Sequence, residues 1–309
     1  MKKSIGPMAA VLCLILLLLN PATAAAGAAR GLALWGQAVV PVLLPFMLCT
    51  GAVVGFQATD LLVRPAAPLF KRLLGLSKEG SFVMLCGLLC GYPMGAKLDG
   101  EFLKDRRISA QEARYLLAIC NHPSPMFLLG YTAGQLADAG APDFGPALLA
   151  ALYLPVLFLA VRAGKRYRHF EVQLSAAQLD PTVRSEQPSF SFDAHMMSSF
   201  ETMVRIGGYI MLFSIAAAYL EKLGLPSAIS VVLIAFLEIT TGIRSLCSTF
   251  PSNSCLVLTA AACAFGGLSG IFQTKSVLKN PELSIRDYIQ WKCLHSALSA
   301  LMMAFFVYL

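Results

Sequence analysis

Charge is what this sequence lacks. Only 13% of its 309 residues are Asp, Glu, Lys or Arg, against 57% apolar residues and a mean hydropathy of +0.68. A soluble domain carries about 25% charged residues, so a water-soluble chain is excluded and several membrane spans are implied. Acidic residues are the scarcer sign, 17 against 24 basic, and the net +7 is the kind of surplus that cytoplasmic loops collect. No nucleic-acid partner is needed to explain it. Reactive patterns are missing too. There is no His-Glu-x-x-His, no Cys-x-x-Cys and no Ser-His-Asp set, so zinc hydrolysis, dithiol exchange and acyl transfer have no footing. An enzyme is not expected. "GYPMGAK" places glycines before a lysine but lacks the Gly-Lys-Ser/Thr ending of a phosphate loop.

Nine cysteines are present (13, 49, 86, 90, 120, 247, 255, 263 and 293), nearly all in apolar runs. Cys86 and Cys90 share a helical face, with no His or carboxylate nearby to complete a metal site. They read as buried, reduced thiols. The N-terminus, "MKKSIGPMAAVLCLILLLLNPATAAAGAA", has a basic start, an apolar stretch and an Ala22-Thr23-Ala24 site of the cleavable type. Residues 1–29 are read as a retained signal-anchor helix, with a cleaved signal peptide as the alternative. Either way the next span starts outside.

Further along, 31–58 is a long apolar segment containing Pro41 and Pro45, and "RPAAPLFKRLLGLSKEG" is basic and amphipathic. Residues 80–91 are apolar, "GYPMGA" intervenes, and 97–107 is charged; 109–138 is helical but broken by "NHPSP", and 143–161 is a clean span. A polar linker occupies 162–195. Then 197–220 is a span, 226–251 is interrupted by "EITTG", 252–279 by "FGGLSG", and 286–309 closes the chain.

The two halves, 30–161 and 196–309, repeat one pattern. With "GYPMGAKL" set over "EITTGIRSL", Gly95 falls on Gly242 and Lys97 on Arg244, and downstream "LLAICNHPSPMFLLG" falls on "AAACAFGGLSGIFQT". Paired interruptions at corresponding positions point to a transporter's binding site. Length separates a hairpin from a crossing: the eleven residues from Ser81 to Gly91 make roughly 16 Å of helix, whereas a span needs about 30 Å. The following "KLDGEFLKDRRIS" is too charged to face lipid. Residues 80–107 are therefore predicted to dip in and return to the cytoplasm, and 226–251 to dip in from the other face. The broken elements 109–138 and 252–279 are long enough to cross.

Loop charge agrees with that count. Arg64, Lys71, Arg72, Lys78, Lys104, Arg106 and Arg107 fall inside, Asp138 and Asp143 outside. Arg162, Lys165, Arg166 and Arg168 fall inside, Lys222 outside, and Lys275, Lys279 and Arg286 inside. Each half then has three crossings plus one hairpin, so the halves are inverted. The expected fold is an all-α polytopic membrane protein of two inverted repeats, each with one re-entrant helical hairpin and one broken transmembrane helix.

Taken together, "GYPMGAK", "NHPSP", "EITTG" and "FGGLSGIFQ" resemble the sporulation integral membrane protein family (YlbJ/SpoVV type). That family carries the nucleoside-recognition or Gate domain, which is shared with concentrative nucleoside transporters and the membrane part of ferrous-iron transport proteins. The resemblance covers roughly residues 30–309. It implies two inverted repeats with two re-entrant hairpins, and a role in endospore formation. That role is the carriage of dipicolinate from the mother cell across the outer forespore membrane, in a multi-pass protein of the bacterial cytoplasmic membrane. "LEITTG" sits where the nucleoside transporters have an Asn-Glu-Phe hairpin tip. Their Gln-Thr-Glu tip is absent from the first hairpin, which argues against nucleoside binding. No GTPase motif is present, so ferrous iron is not the expected cargo.

The expected substrate-binding residues lie at the breaks. Lys97 and Arg244 are pseudo-symmetric cations just past the two tips. They read either as a clamp on a small anionic solute, helped by the helix N-termini, or as side chains snorkelling to opposite surfaces. Glu238, inside "LIAFLEITTG", either couples transport to a proton or sodium or pairs with Arg244. His122, beside Asn121 and Pro123, senses protons or packs against the hairpin. Tyr92 and Pro93 form the first tip. Ser124, Ser269, Thr240 and Thr241 offer hydroxyls at the breaks, and Gln273 follows the last one. Gly95 and Gly267, with Gly91, Gly242 and Gly266, serve turns and close packing. No cofactor or metal is expected. The partners are the lipid bilayer and a small anionic solute, and a homo-oligomer is compatible with the sequence. Two other readings stay open: a nucleoside-type solute carrier, and a non-transporting membrane component of a spore maturation or cortex assembly.

Overall fold

A computed structural model of the chain describes residues 5–167 and 190–308, and every regular element among them is helical. Arg168 and most of the predicted linker lie outside the described residues. Helix α1 (Ile5–Leu19) is followed by α2 (Pro21–Leu34), which continues through a π-helical turn (Trp35–Val39) into α3 (Val40–Gly55). Then come α4 (Thr59–Val63), α5 (Ala67–Leu74), α6 (Lys78–Cys90) and α7 (Met94–Lys104). Helix α8 (Ala110–Ile119), a π-helical turn (Phe127–Thr132) and α9 (Ala133–Asp138) precede α10 (Gly145–Tyr167). The second half contains α11 (Phe192–Glu221), α12 (Ser227–Leu237), α13 (Ile239–Thr249), α14 (Ser252–Phe265), α15 (Gly267–Val277) and α16 (Ile285–Tyr308).

Among the described residues five segments are long and apolar enough to cross a membrane: Pro21–Gly55, Gly145–Tyr167, Phe192–Glu221, Ser252–Val277 and Ile285–Tyr308. Helices α5 and α6 would supply a sixth if taken together, but they diverge by 97°. Gly75 makes that corner in a left-handed conformation, and Ser77 starts α6 by accepting a hydrogen bond from Gly80 N at 2.9 Å. Exposed leucines and phenylalanines such as Leu12, Leu157, Leu212 and Phe305 cover the outer faces. In water such a surface would be an aggregation liability; on spanning helices it meets acyl chains.

Two predicted boundaries shift. The helix Pro21–Gly55 runs across the 29/30 boundary set for the signal anchor. The break falls instead at Asn20, whose Oδ1 accepts from Thr23 Oγ1 at 2.8 Å and caps α2, with Pro21 in the first turn. Ala22-Thr23-Ala24 is thus the first turn of a spanning helix, and the alanines after it propagate the helix without a breaker. Gly27 and Gly31 let α2 approach α11 closely, since a Cβ would stand 2.7 Å from Ile215 Cα and 2.8 Å from Met211 Cα. The second shift is at the linker's far end. Helix α11 begins at Phe192, capped by Ser191, four residues before the boundary drawn at 196.

Helices α6 and α7 pack against each other as a hairpin, as do α12 and α13. Packing repeats between the halves: α8 lies on α10, and α14 on α16. The halves also exchange partners, with α7 against α15 and α13 against α9. Two apolar clusters result. One holds the first hairpin, including stacked Phe82 and Phe102 with centroids 5.7 Å apart, and the other holds the second. Tyr92, at the tip of the first hairpin, packs against the second cluster.

Candidate functional site

The first hairpin turns at Gly91-Tyr92-Pro93. Gly91 has φ +81°, and a Cβ there would stand 2.7 Å from Ser124 N, so both the backbone and the space require glycine. Tyr92 N donates to His122 O at 2.9 Å, fastening the tip to the unwound stretch after α8. Unwound backbone inside a membrane is tolerated only if its polar groups find partners, and several carbonyls of this stretch do. His122 Nε2 donates to Ile119 O at 2.6 Å, Lys292 Nζ to Asn121 O at 3.3 Å, and Tyr153 Oη to Pro123 O at 2.7 Å. Ser124 Oγ accepts from Phe127 N at 3.1 Å and restarts the helix. The carbonyl of Cys120 sits where side chains at Gly87 and Gly95 would be, which explains a glycine in each limb.

The second hairpin turns at Glu238, which leaves the helical region with φ −142° and ψ 120°. Its carboxylate caps α13: Oε1 accepts from Thr240 N at 3.1 Å, and Oε2 from Thr240 Oγ1 at 2.6 Å and Thr241 N at 2.7 Å. A buried negative charge (1% exposed) is thereby placed on a helix N-terminus, where the dipole stabilises it. Glu238 makes no ion pair with Arg244, which is exposed. Six residues of helix turn about 600°, so the two side chains leave on different faces. Thr240 O accepts from Tyr131 Oη at 2.7 Å. Gly267, with φ +68°, gives room to this tip, since a Cβ would lie 3.2 Å from Leu237 O and 3.3 Å from Ile239 N.

Both tips border one cavity of about 70 Å³. Its polar lining comes from Tyr92 of the first hairpin, Ser124 after the first break, Glu238 and Thr240 of the second hairpin, and Gln273 of α15. Val39 of the π-helical turn and Leu43 of α3 close its apolar side. Organic-ligand sites run to about 300 Å³ or more, so in this conformation the space suits water or an ion.

The other expected residues sit around this cavity rather than on it. Pro93 opens α7 and follows a cis peptide. Gly95 and Gly267 provide close approach, Thr241 offers α13's backbone N–H to the Glu238 cap, and Ser269 Oγ accepts from Gln273 Nε2 at 3.0 Å. Neither cation lines the cavity. Lys97 is 8% exposed and pairs with Glu101 one turn on, at 3.3 Å. Asn121 is a junction: its Nδ2 donates to Tyr288 Oη at 2.8 Å and Thr274 Oγ1 at 3.1 Å, while its Oδ1 accepts from Ala96 N at 3.3 Å. One side chain so joins the first hairpin, α15 and α16.

Sequence reasoning missed the polar residues of α16. Lys292 is 3% exposed and His295 lies against His122, ring centroids 4.6 Å apart. The signal was available, for both are ionisable groups inside an apolar span. Asp99 was also missed: it is fully buried in α7, and among the described residues neither carboxylate oxygen has a hydrogen-bond partner.

Five apolar spans around a buried polar centre make this a multi-pass integral membrane protein. Among known proteins it is similar to the sporulation integral membrane protein YlbJ of Bacillus subtilis (strain 168), 27% identical over 222 residues. The aligned stretch is 65% of this chain and 52% of YlbJ, so the chain matches about half the length of that relative. No family model and no solved structure matches the chain.

Proposed function

We propose that the chain is a sporulation-associated carrier of a small organic anion, dipicolinate, across the outer forespore membrane. It works by alternating access between two inverted repeats, with α6–α7 and α12–α13 as re-entrant hairpins. The supporting observation is that the interrupted tips of both hairpins border one mainly apolar cavity that carries a few polar groups, with the unwound stretch after α8 beside it. Carriers place their sites at such broken elements near the bilayer midplane. The exchanged contacts, α7 with α15 and α13 with α9, are those a two-fold inversion produces. The likeness to YlbJ favours the sporulation setting.

In this mechanism α7 and α13 start at the tips and turn their positive dipole ends toward an anion. Glu238, already holding the N-terminus of α13, is placed to exchange its backbone partners for a proton or sodium when that tip moves. Proteoliposomes containing the protein should accumulate labelled dipicolinate and not uridine. Spores lacking the protein, in a strain without a redundant carrier, should be short of dipicolinate. Normal spore content together with inactive proteoliposomes would retire the proposal.

One observation favours a nucleoside-type carrier as second reading. The cavity's polar lining is hydroxyl, amide and carboxylate, with no cation on it, which suits a neutral solute rich in hydroxyls. Uridine uptake in the same assay would select it.

A further inference from the structure

We propose that Lys292 of α16 is the cationic anchor of the solute site, separated from the cavity by the ring of Tyr92, and that it takes a small aromatic carboxylate. This deepens the carrier reading and rests on it. Seven residues into a 24-residue span, Lys292 sits about 10 Å along the helix. Such a charge persists inside a membrane only with a partner or a purpose. Its Nζ donates to Asn121 O at 3.3 Å and lies 5.7 Å from the centroid of the Tyr92 ring. Among the described residues no carboxylate lies within ion-pair distance of it.

The carbonyl of Asn121 does not require a charge. Two residues on, a neutral tyrosine hydroxyl serves Pro123 O in the same unwound stretch. A lysine used where a hydroxyl or amide suffices brings a positive charge that structure alone does not use, and spare N–H donors with it. The surroundings are short of partners as well. Each histidine directs Nε2 at a carbonyl, His122 to Ile119 O and His295 to Leu152 O at 2.8 Å, which fixes Nε2 as the protonated nitrogen. That leaves Nδ1 of His122 buried and, among the described residues, without a hydrogen-bond partner.

Tyr92 connects this cluster to the cavity. Its ring lines the cavity and packs over Gly266 and Gly270, where added Cβ atoms would stand 3.6 and 3.4 Å away. With no solute, the ring face offers the ammonium a cation–π contact. A planar aromatic acid that displaces the Tyr92 ring from between cavity and lysine can take its place, setting a carboxylate against Lys292. The cation that the cavity wall lacks stands one side chain behind it.

Binding to the purified protein in detergent tests this, by calorimetry with dipicolinate, its uncharged diamide and uridine. The wild type should bind dipicolinate and discriminate against the diamide. Lys292→Met should weaken dipicolinate at least about tenfold, the loss of one charge-assisted hydrogen bond, and Lys292→Arg should retain most of the affinity. Unchanged binding by Lys292→Met, or a diamide that binds the wild type as tightly as the dianion, overturns the anchor and leaves the carrier reading standing. If the Met variant does not fold, Lys292→Gln, which keeps a donor for Asn121 O and removes the charge, decides by the same tenfold loss. A wild type that binds uridine instead, or none of the three, overturns both.

Discussion

At the scale of single residues, the site is built from groups that either permit an unusual backbone or satisfy one. Gly91 permits: its φ of +81° and the nearby Ser124 N leave no place for a side chain. Gly91→Ala should therefore destabilise the protein by about 2 kcal/mol or more, combining left-handed strain with a backbone clash. Gly134 is the second residue of α9, which continues the π-helical turn before it, with nothing within 4 Å of an added Cβ. Gly134→Ala should stabilise it by about 0.5 kcal/mol. Thermal unfolding in detergent measures both, and equal shifts would contradict the account of the tip. Glycine at the breaks was legible in the sequence, because glycine and proline punctuate apolar runs. The role of Glu238 was not. Ser, Thr, Asp and Asn are the usual caps, so a glutamate in "LEITTG" advertises an intramembrane charge and conceals a capping group. Lys292 and His295 were overlooked because the composition of α16 reads as a plain span.

At the scale of elements, the sequence located the breaks closely and the helix starts less well. Where a run met Gly-Tyr-Pro, Asn-His-Pro or Gly-Gly, the helix ended within a residue or two, since no side-chain packing can restore a missing donor or a forbidden φ. Ala22–Ala29 looks like a processing site in the sequence, yet alanine-rich sequence is strongly helical and joins the helix Pro21–Gly55 once Asn20 caps it. Whether α6–α7 and α12–α13 dip in and return depends on the bilayer, and accessibility can test it. In a cysteine-free background, Lys78→Cys and Asp105→Cys at the two ends of the first hairpin should react with an impermeant maleimide from one face. Ser227→Cys and Thr249→Cys should react from the other, together with Lys222→Cys. All five positions are exposed. Residues 78 and 105 labelling from opposite sides would make the first hairpin a crossing and remove the inversion.

At the scale of the whole molecule, the sequence pattern foretold an all-helical chain with several spans but not how its two parts interlock. Four interrupted motifs in order can be read from spacing. The seating of each hairpin limb on the other half's broken helix cannot, because contacts between distant segments leave no local pattern. Helix α7 lies on α15 and α13 on α9, while α10 packs along α16 and α2 along α11. Asn121 adds polar links across the halves to Thr274, Tyr288 and Lys292. A half expressed alone would expose these seats and leave the Asn121 amide short of partners, each unmet buried group costing about 1–3 kcal/mol. That is a large share of the roughly 5–15 kcal/mol that holds a typical protein together. Residues 1–167 and 190–309 produced from separate genes should accordingly co-purify from membranes, and each should be degraded when made alone. If either half behaves alone as a monodisperse, protease-resistant species, the halves are independent domains. The cavity would then be a surface between two finished bodies, and no carrier could be built on hairpins that already have all the partners they need.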